Sequence, residues 1–336
     1  MKLLTVTVPC YNSAEYMEKC VDSLLRGGDR VEIIIINDGS KDQTGAIADS
    51  YAEKYPDIVK VIHQENGGHG EGINQGVIHA TGKYFKVVDS DDVLCEDFSA
   101  FLDKLEECES VGGVDLFVTN YYYVHTDGIG DRSISYKGVL PSNRLFGWSD
   151  TKRFRLHQLI TIHSSTFRTS LMKECSEPLP KHVFYEDNLM VYRVLPKVEK
   201  MYYMDIDLYR YWIGRPDQSV QESVMKKRYT HQILVTEKCF TTCHLDEVKE
   251  KMLKKYLRHE LFIMFGISIL NARLNKSVES DDALWEMWKK CITFDKKYGK
   301  HFRYRTPLAF ICLPGKFGQN FAVFIYRLAN KVVRFN

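Results

Sequence analysis

The sequence predicts an α/β protein in which helices flank a mostly parallel sheet and a helical region follows. Three observations indicate this fold. Short β-branched runs alternate with amphipathic stretches up to about residue 95, a rhythm that is typical of βαβ units. The run VEIIII at 31–36 is apolar without alternation, as expected for a parallel strand covered on both faces. After residue 224 the apolar periodicity is that of helices alone.

The elements of the first half follow in order from this alternation. They are a strand at 3–8, a helix capped by Ser13 that runs to about residue 25, a strand at 31–36, a helix at 44–54, a strand at 59–62, a helix at 73–80 and a strand at 84–88. Ligands of parallel sheets bind beyond the carboxyl ends of the strands. The polar residues that follow each strand are therefore the first candidates for function.

The composition fits a globular chain with a large core. Of 336 residues, 44% are hydrophobic and 27% are charged, which excludes a disordered, collagen-like or coiled-coil protein. Nine cysteines and a start, MKLLTVTVPCYN, that lacks an apolar signal core predict reduced thiols and a cytoplasmic location. No apolar run reaches the length of about 18 residues that a transmembrane helix needs, so none is expected.

Two polar segments at the predicted strand ends carry the strongest chemical signal. The loop NGGHGEG at 66–72 lets backbone amides approach an anion, and the helix that starts near Gly72 adds its dipole. The segment DSDD at 89–92 places three acids in four residues, and such carboxylates suit Mg²⁺ or Mn²⁺ bound to phosphate oxygens. Alone, DSDD also fits a solvated turn that caps the next helix. Neither GxGxxG after the first strand nor GxxxxGK[ST] occurs, which argues against a dinucleotide oxidoreductase or a P-loop enzyme.

Four motifs together resemble family 2 glycosyltransferases of the GT-A fold. They are VPCYN at 8–12, NDGSKDQT at 37–44, ENGGHGEGINQGVIHATGKYFKVVDSDD at 65–92 and FYEDNLM at 184–190. The resemblance implies inverting transfer of a sugar from a nucleotide diphosphate donor, a UDP-sugar, to an acceptor hydroxyl. The implied products are cell-surface polysaccharides, teichoic-acid type polymers or glycolipids.

The resemblance also implies a division into domains. A GT-A catalytic domain covers residues 1–224, with a nucleotide-sugar half to about residue 95 and an acceptor half over 96–224. A basic helical region covers residues 225–336.

The residues after the first three strands are those that the resemblance assigns to the nucleotide. Tyr11 lies against the base, Pro9 shapes its turn, and Asp38 accepts a hydrogen bond from the base's ring N–H, which selects uracil over cytosine. This chain has Ile73 where many relatives have an arginine, and His69 either substitutes as a donor or is structural. The other nucleotide contacts are expected from Asn12, Asn66, Gly67, Gly68, Asp89 and Ser90.

The acidic residues take separate roles by the same resemblance. Asp89 holds the ribose or the water shell of a divalent cation, Mn²⁺ or Mg²⁺, which Asp91 ligates, while Asp92 supports the pocket or the donor sugar. Asp187 is the general base, and Glu186 orients the acceptor or the donor sugar. Alternatively, these last two only supply the N-terminal acids of a helix that runs on through Asn188 to Leu195.

Two further segments complete the expected site. The segment YRYWIGRPDQSV at 209–220 should contact the diphosphate through Arg215, Gln218 and Ser219, with Arg210 second. On the acceptor side, the tyrosines at 121–123 and Trp148 either stack on sugar faces or belong to a half-buried strand. His163 either faces the site or is a neutral core histidine.

The C-terminal region differs in charge from the rest of the chain. Residues 225–336 contain 22 Lys and Arg against 10 Asp and Glu, whereas residues 1–224 contain 24 against 34. The last 36 residues hold six basic residues and no acid. An apolar helical face there adjoins the basic residues Arg327, Lys331 and Arg334; it consists of Phe321, Phe324, Ile325, Leu328 and Val332. The pattern fits an anionic membrane surface, a patch of the catalytic domain or a second subunit.

Other functions fit the sequence less well. No base-reading module accompanies the basic surface, so nucleic acid is not an expected partner. A sugar nucleotidyltransferase should carry a glycine-rich basic loop after its first strand, where this chain has VPCYNSAEY. A non-catalytic module that only binds nucleotide sugars is disfavoured by the presence of both Asp91 and Asp187.

Overall fold

The structure, a computed structural model, describes residues 2–125, 128, 130–175, 177–213 and 221–333. The chain forms two compact units, residues 1–212 and 213–336. The division lies at the end of the last strand of the sheet, while the sequence places it after residue 224, where helical periodicity begins. Residues before that point already belong to the second unit.

Four parallel strands form one half of the sheet in the first unit. They are β1 (Leu4–Cys10), β2 (Val31–Asp38), β3 (Val59–Gln64) and β4 (Tyr84–Val87). Their order is β3-β2-β1-β4, and all three pairs are parallel. Every residue of β1 and β2 is buried, which explains why their sequences lack polar alternation. The α/β prediction is confirmed.

The helices of this half connect the strands and follow the last of them. They are α1 (Met17–Leu25), α2 (Thr44–Lys54), α3 (His69–His79) and α4 (Phe98–Ser110). Ser13 does not cap α1, as the sequence predicts, because the N-cap is Tyr16. The Ser13 amide instead donates to Thr44 Oγ1 at 2.7 Å, and its hydroxyl lies 2.8 Å from Ser90 Oγ. Ser13 therefore ties three strand-end loops together.

The start of α3 also differs from the prediction. It begins at His69 instead of near Gly72, so the glycine loop is shorter and its last glycines lie in the first helical turns. A Cβ on Gly72 would lie 2.9 Å from Pro9 Cβ. Close packing of α3 on the end of β1 accounts for a glycine inside the helix.

Further strands extend the sheet beyond β4 and pair mainly antiparallel. They are β5 (Val93–Leu94), β6 (Leu116–His125), β7 (Arg132–Ile134), β8 (Leu145–Phe146), β9 (Ser165–Arg168) and β10 (Met201–Ile213). The order continues β4-β9-β6-β10-β5, with β7 on β6 and β8 on β10. Two helices, α5 (Thr169–Glu174) and α6 (Glu186–Val194), lie between β9 and β10. One core of aromatic rings joins the halves, since Phe117 contacts both Phe101 and Tyr202 at centroid distances of 5.0 Å.

The second unit is helical, as the sequence predicts. Its helices are α7 (Glu222–Met225), α8 (Tyr229–Phe240), α9 (Lys251–Asn275), α10 (Val278–Phe294), α11 (Lys296–Tyr304), α12 (Leu308–Ile311) and α13 (Gly315–Val333). Phe265 of α9 lies at their centre, with Trp288 at 4.6 Å and Phe302 at 5.2 Å between ring centroids. Among the helices of the described residues, none has the length and apolar character needed to cross a bilayer.

Candidate active site

The carboxylate of Asp38, the last residue of β2, organises the glycine loop. Its Oδ1 accepts hydrogen bonds from the Gly67 amide at 2.7 Å and from Gln64 Nε2 at 2.6 Å, and its Oδ2 accepts one from the Gly68 amide at 2.8 Å. Asn66 Nδ2 also donates to the Asp38 carbonyl at 2.9 Å. A carboxylate oxygen has two lone pairs. A base N–H, the predicted partner of Asp38, would therefore bind as a second donor to Oδ2.

Gly68 occupies a position where a side chain does not fit. Its φ is 85°, which favours glycine, and a Cβ there would lie 2.9 Å from the backbone nitrogen of His182. The His182 amide in turn donates to the Gly67 carbonyl at 2.8 Å. These contacts bring the segment before the acidic pair against the glycine loop.

The end of β1 forms an open side of the site. Pro9 lies in the buried strand, and Tyr11 follows with its ring exposed. Asn12 has a φ of 51°, and its Oδ1 accepts from the Lys41 amide at 2.9 Å while its own amide donates to Ser40 Oγ at 3.0 Å. The loops after β1 and β2 are thus held together, and the Tyr11 ring remains available for stacking.

His69 bridges two acids that are far apart in the chain. Its Nδ1 lies 2.8 Å from Glu186 Oε1, and its Nε2 lies 2.9 Å from Asp89 Oδ1. Burial lowers the pKa of His69, but the two carboxylates outweigh it and hold this pKa well above its ordinary value. An imidazolium donates from both ring nitrogens. His69 therefore links the glycine loop, the end of β4 and the start of α6.

The acidic pair opens α6 on a strained residue. Tyr185, the N-cap, has a left-handed φ of 71°, a conformation that costs energy for a residue with a side chain and that is common at functional sites. Glu186 is buried, and Asp187 is half-buried. Burial, followed by repulsion from Glu186, raises the pKa of Asp187 to about 6. Helix α6 runs from Glu186 to Val194, so both acids lie in its first turn, where they also favour the helix dipole.

The acids after β4 lie in different environments. Burial would raise the pKa of Asp89, but contacts with His163 and His69 outweigh it and hold this pKa well below its usual range. Asp92 is fully buried; its Oδ2 accepts from the Tyr209 hydroxyl at 2.7 Å and its Oδ1 from the Trp212 amide at 2.9 Å. Burial and repulsion from Asp91 and Asp89 raise the pKa of Asp92 well above its usual value. The loop therefore crowds its acids so closely that burial and the neighbouring charges disfavour the ionised form of Asp92, and a bound cation would relieve this repulsion.

One cluster in the described part of the chain brings ligand atoms close enough to hold a metal ion. It consists of Asp89, Asp92 and His163, whose ligand atoms all lie within 4.8 Å of one another. Two carboxylates and an imidazole suit Mn²⁺, because carboxylates favour hard divalent cations and histidine tolerates several transition metals. The residues thus fit a divalent cation. Asp91, the ligand that the motif predicts, lies outside this cluster.

His163 is held in place by a buried lysine. Lys86 Nζ donates to the His163 carbonyl at 2.8 Å and to the Ser165 carbonyl at 3.1 Å, and burial lowers the pKa of Lys86 to about 7. The His163 ring stacks on Tyr211 with a centroid distance of 4.5 Å, and its Nε2 lies 3.6 Å from Asp89 Oδ2. Of the two predicted locations of His163, the structure supports the one that faces the site.

Comparison with known proteins identifies the family of this site. Residues 5–169 match the family model "Glycosyl transferase family 2". This segment belongs to glycosyl transferase family 2. The matched residues include the end of β1, the glycine loop and the acids after β4, which carry most of the nucleotide contacts that the sequence predicts.

Individual relatives support the same family. Glycosyltransferase GlyA of Streptococcus pneumoniae is 27% identical over 337 residues, which cover 92% of this chain and 46% of GlyA. The chain therefore spans less than half the length of this curated relative.

Solved structures resemble the chain over most of its length. The S. aureus TarS 1–349 complex with UDP-GlcNAc is a structural match at a TM-score of 0.58 and 19% identity, covering 91% of this chain and 93% of that one. The mannosyltransferase PcManGT from Pyrobaculum calidifontis, solved with GDP-Man and Mn²⁺, has a TM-score of 0.54 at 14% identity and covers 93% and 87%. These similarities confirm the GT-A fold.

The other predicted site residues differ in where the structure places them. Arg215, Gln218 and Ser219 lie outside the described residues. Arg210 is placed over the ring of Tyr122, with 4.6 Å from its Cζ to the ring centroid. Trp148 is buried and its Nε1 donates to the Val198 carbonyl at 3.0 Å. The alternative that this tryptophan stacks on a sugar is wrong, because its ring belongs to the core.

Two residues of the candidate site were not predicted. Lys86 positions His163, and the Tyr209 hydroxyl both donates to Asp92 and accepts from the Asp89 amide at 3.1 Å. A lysine inside the apolar strand YFKVV was the available signal for Lys86, since a buried lysine needs hydrogen-bond acceptors. Tyr209 had no local signal, because its partners lie more than 100 residues earlier in the chain.

The close approach of Gly68 to His182 predicts an unusually costly substitution. We expect Gly68→Ala to lower the free energy of unfolding by about 1–3 kcal/mol, because the backbone of His182 must shift. Gly138→Ala is the matched control, since Gly138 has a φ of 80° but no atom within 4 Å of a built Cβ. Urea unfolding of both variants measures the difference. Equal losses of stability would contradict the close contact.

Proposed function

We propose that the chain is an inverting glycosyltransferase that moves a sugar from a UDP-sugar to an acceptor hydroxyl. The acceptor is a glycan or a lipid-linked saccharide, and the pathway is cytoplasmic synthesis of a cell-surface polysaccharide or glycolipid. The observation that carries this proposal is the convergence of three predicted segments, since His69 of the glycine loop contacts both Asp89 after β4 and Glu186 at the start of α6. Asp187 follows Glu186 directly, and burial and the Glu186 charge raise its pKa to about 6. A base with a pKa of about 6 is largely ionised near neutral pH and remains strong enough to accept a proton.

The proposed reaction uses Asp187 as the single base. Its carboxylate takes the proton of the acceptor hydroxyl while that oxygen attacks the anomeric carbon of the donor sugar. The bond from this carbon to the diphosphate oxygen breaks, and the nucleoside diphosphate leaves with the electron pair. Because attack comes from the face opposite the leaving group, the configuration at the anomeric carbon inverts.

The residues at the strand ends provide the proposed donor pocket. Tyr11 is exposed for stacking on the base, and the loop of Asn66, Gly67 and Gly68 is held by Asp38. The TarS complex with UDP-GlcNAc supports a UDP-sugar donor. We assign Arg215, Gln218 and Ser219 to the diphosphate from the motif alone; Asn12 and Ser90 are assigned to maintaining the loops around the nucleotide.

A divalent cation, Mn²⁺ or Mg²⁺, is part of the proposal. When bound, it would neutralise negative charge that develops on the departing diphosphate. Asp89 is the ligand common to the sequence motif and to the cluster with Asp92 and His163, and Asp91 is the further ligand that the motif assigns. The PcManGT complex with Mn²⁺ supports a cation in this fold.

His69 has a positioning role in this proposal. Its imidazolium fixes Glu186 and Asp89 at hydrogen-bond distance. It also lowers the pKa of Asp187 through its charge, although burial and Glu186 dominate that pKa. Ile73 is buried and stands where many relatives have an arginine. In this proposal the positive charge of the loop therefore comes from His69.

Donor hydrolysis tests the function without knowledge of the acceptor. We expect the full chain to hydrolyse one UDP-sugar slowly in a screen of nucleotide sugars with Mn²⁺ or Mg²⁺, and EDTA to abolish this release of UDP. Asp91→Asn should weaken cation-dependent UDP binding in calorimetry. Donor binding without turnover under all conditions would support a non-catalytic binding module, and turnover unaffected by chelation would remove the cation from the proposal.

The role of Asp187 predicts a specific pH dependence. We expect kcat/KM to fall about tenfold per pH unit below pH 6, because the carboxylate becomes protonated and can no longer accept the hydroxyl proton. Asp187→Asn should lower transfer at least about a hundredfold and leave UDP affinity nearly unchanged. Its residual activity should lack the acid limb near pH 6.

The exposed Asp57 offers a matched control for this variant. Asp57→Asn makes the same chemical change outside the site and should keep both the activity and the acid limb. If Asp187→Asn retained wild-type turnover, or if its residual activity showed the same limb, another residue would be the base.

A further inference from the structure

Helix α13 is anchored on one side. Its residues Gly318, Ala322 and Tyr326 are buried, and the helix packs on α9. Gln319 Nε2 donates to Asp281 Oδ2 of α10 at 3.0 Å. This side therefore belongs to the core of the helical unit.

The opposite side of α13 exposes large apolar side chains. Phe317, Phe324 and Leu328 are 74%, 61% and 51% exposed. At 3.6 residues per turn, these three and Phe321 lie within an arc of about 60°, and the rings of Phe317 and Phe321 stack at a centroid distance of 6.4 Å. We call these four residues the aromatic stripe. Phe310 of α12, which is 65% exposed, precedes it in the chain.

Positive charge accompanies the aromatic stripe. Lys316 and Arg327 are exposed. On a helical wheel they lie about 100° and about 80° from Phe317, and both are on the same side of the stripe. The segment 301–336 contains six Lys and Arg and no acidic residue. Contiguous exposed apolar surfaces of this kind are typical of interaction sites.

We propose that the aromatic stripe docks this chain on an anionic lipid surface. A helix with an apolar face and flanking cations lies in the interface with its apolar side chains about 5–10 Å deep, and anionic headgroups attract its Lys and Arg residues. The buried side of α13 keeps its contacts with α9 in this arrangement, because the stripe is on the opposite side. The chain therefore needs no rearrangement of its helical unit to bind.

The charge distribution favours lipid over a second copy. In a symmetric dimer the same patch meets itself, which would bring Lys316 and Arg327 towards their copies with no acidic residue from 301–336 between them. Like charges across an interface oppose association. An anionic bilayer supplies the missing counter-charge.

Vesicle co-sedimentation of the full chain tests this proposal. We expect binding to vesicles of phosphatidylcholine with phosphatidylglycerol at least about tenfold stronger than to phosphatidylcholine alone, and weaker binding at high salt. The double variant Phe317→Ser/Phe324→Ser should lose at least about tenfold in this binding. Lys316→Gln/Arg327→Gln should remove most of the preference for anionic vesicles.

A matched double variant controls for the loss of apolar surface. Val278→Ser/Ile78→Ser removes side chains of similar exposure outside the stripe and should bind vesicles like the wild type. Thermal unfolding of each variant should match the wild type, since all four side chains are exposed. Donor hydrolysis in solution should also be unchanged, so failure of membrane binding is distinguishable from failure of the proposed reaction.

Three results would overturn the proposal. One is a wild-type chain that does not sediment with anionic vesicles. Another is a stripe variant that binds them as tightly as the wild type does. The third is a dimer, found by sedimentation equilibrium, that Phe317→Ser/Phe324→Ser disperses, because the stripe would then be an interface between two copies.

Discussion

The site depends on the crowding of carboxylates at one edge of the sheet and on the groups that compensate them. Asp89 and Asp92 follow β4, and Glu186 and Asp187 open α6. Their mutual repulsion would separate these segments if nothing lay between them. His69 lies between them and contacts both Asp89 and Glu186. The fold can therefore hold negative charge on both sides of the place where a donor would bind.

The same electrostatics separates the acids by function. Asp89 stays ionised because histidines contact it, whereas burial and its acidic neighbours favour the protonated form of Asp92. The pKa of Asp187, about 6, lies between the values of these two acids. Such a pKa would suit a base that must accept a proton and release it again. The different environments of these acids come from the elements that carry them, and in the proposed function they would let one small region supply a charged ligand, a structural acid and a base.

The sequence predicted what local patterns encode. The apolar run of β2 and the amphipathic segment of α2 were placed with nearly the observed bounds, and the motifs located the acids. The sequence could not predict contacts between distant segments. One such contact joins His69 to Glu186, which lies 117 positions later in the chain. The location of His163 likewise depends on Lys86, 77 positions earlier. No local periodicity records such pairs, because they form only when the strands assemble.

We propose above that this acidic edge holds a cation against a nucleotide diphosphate. Anomalous diffraction at the manganese edge, from crystals of the full chain with UDP and Mn²⁺, tests it most directly. We expect one manganese peak that touches both the diphosphate and the Asp89 or Asp91 carboxylate, at the distance of about 2.0–2.6 Å that oxygen ligands keep from hard divalent cations. Well-ordered UDP with no manganese beside these acids would contradict it.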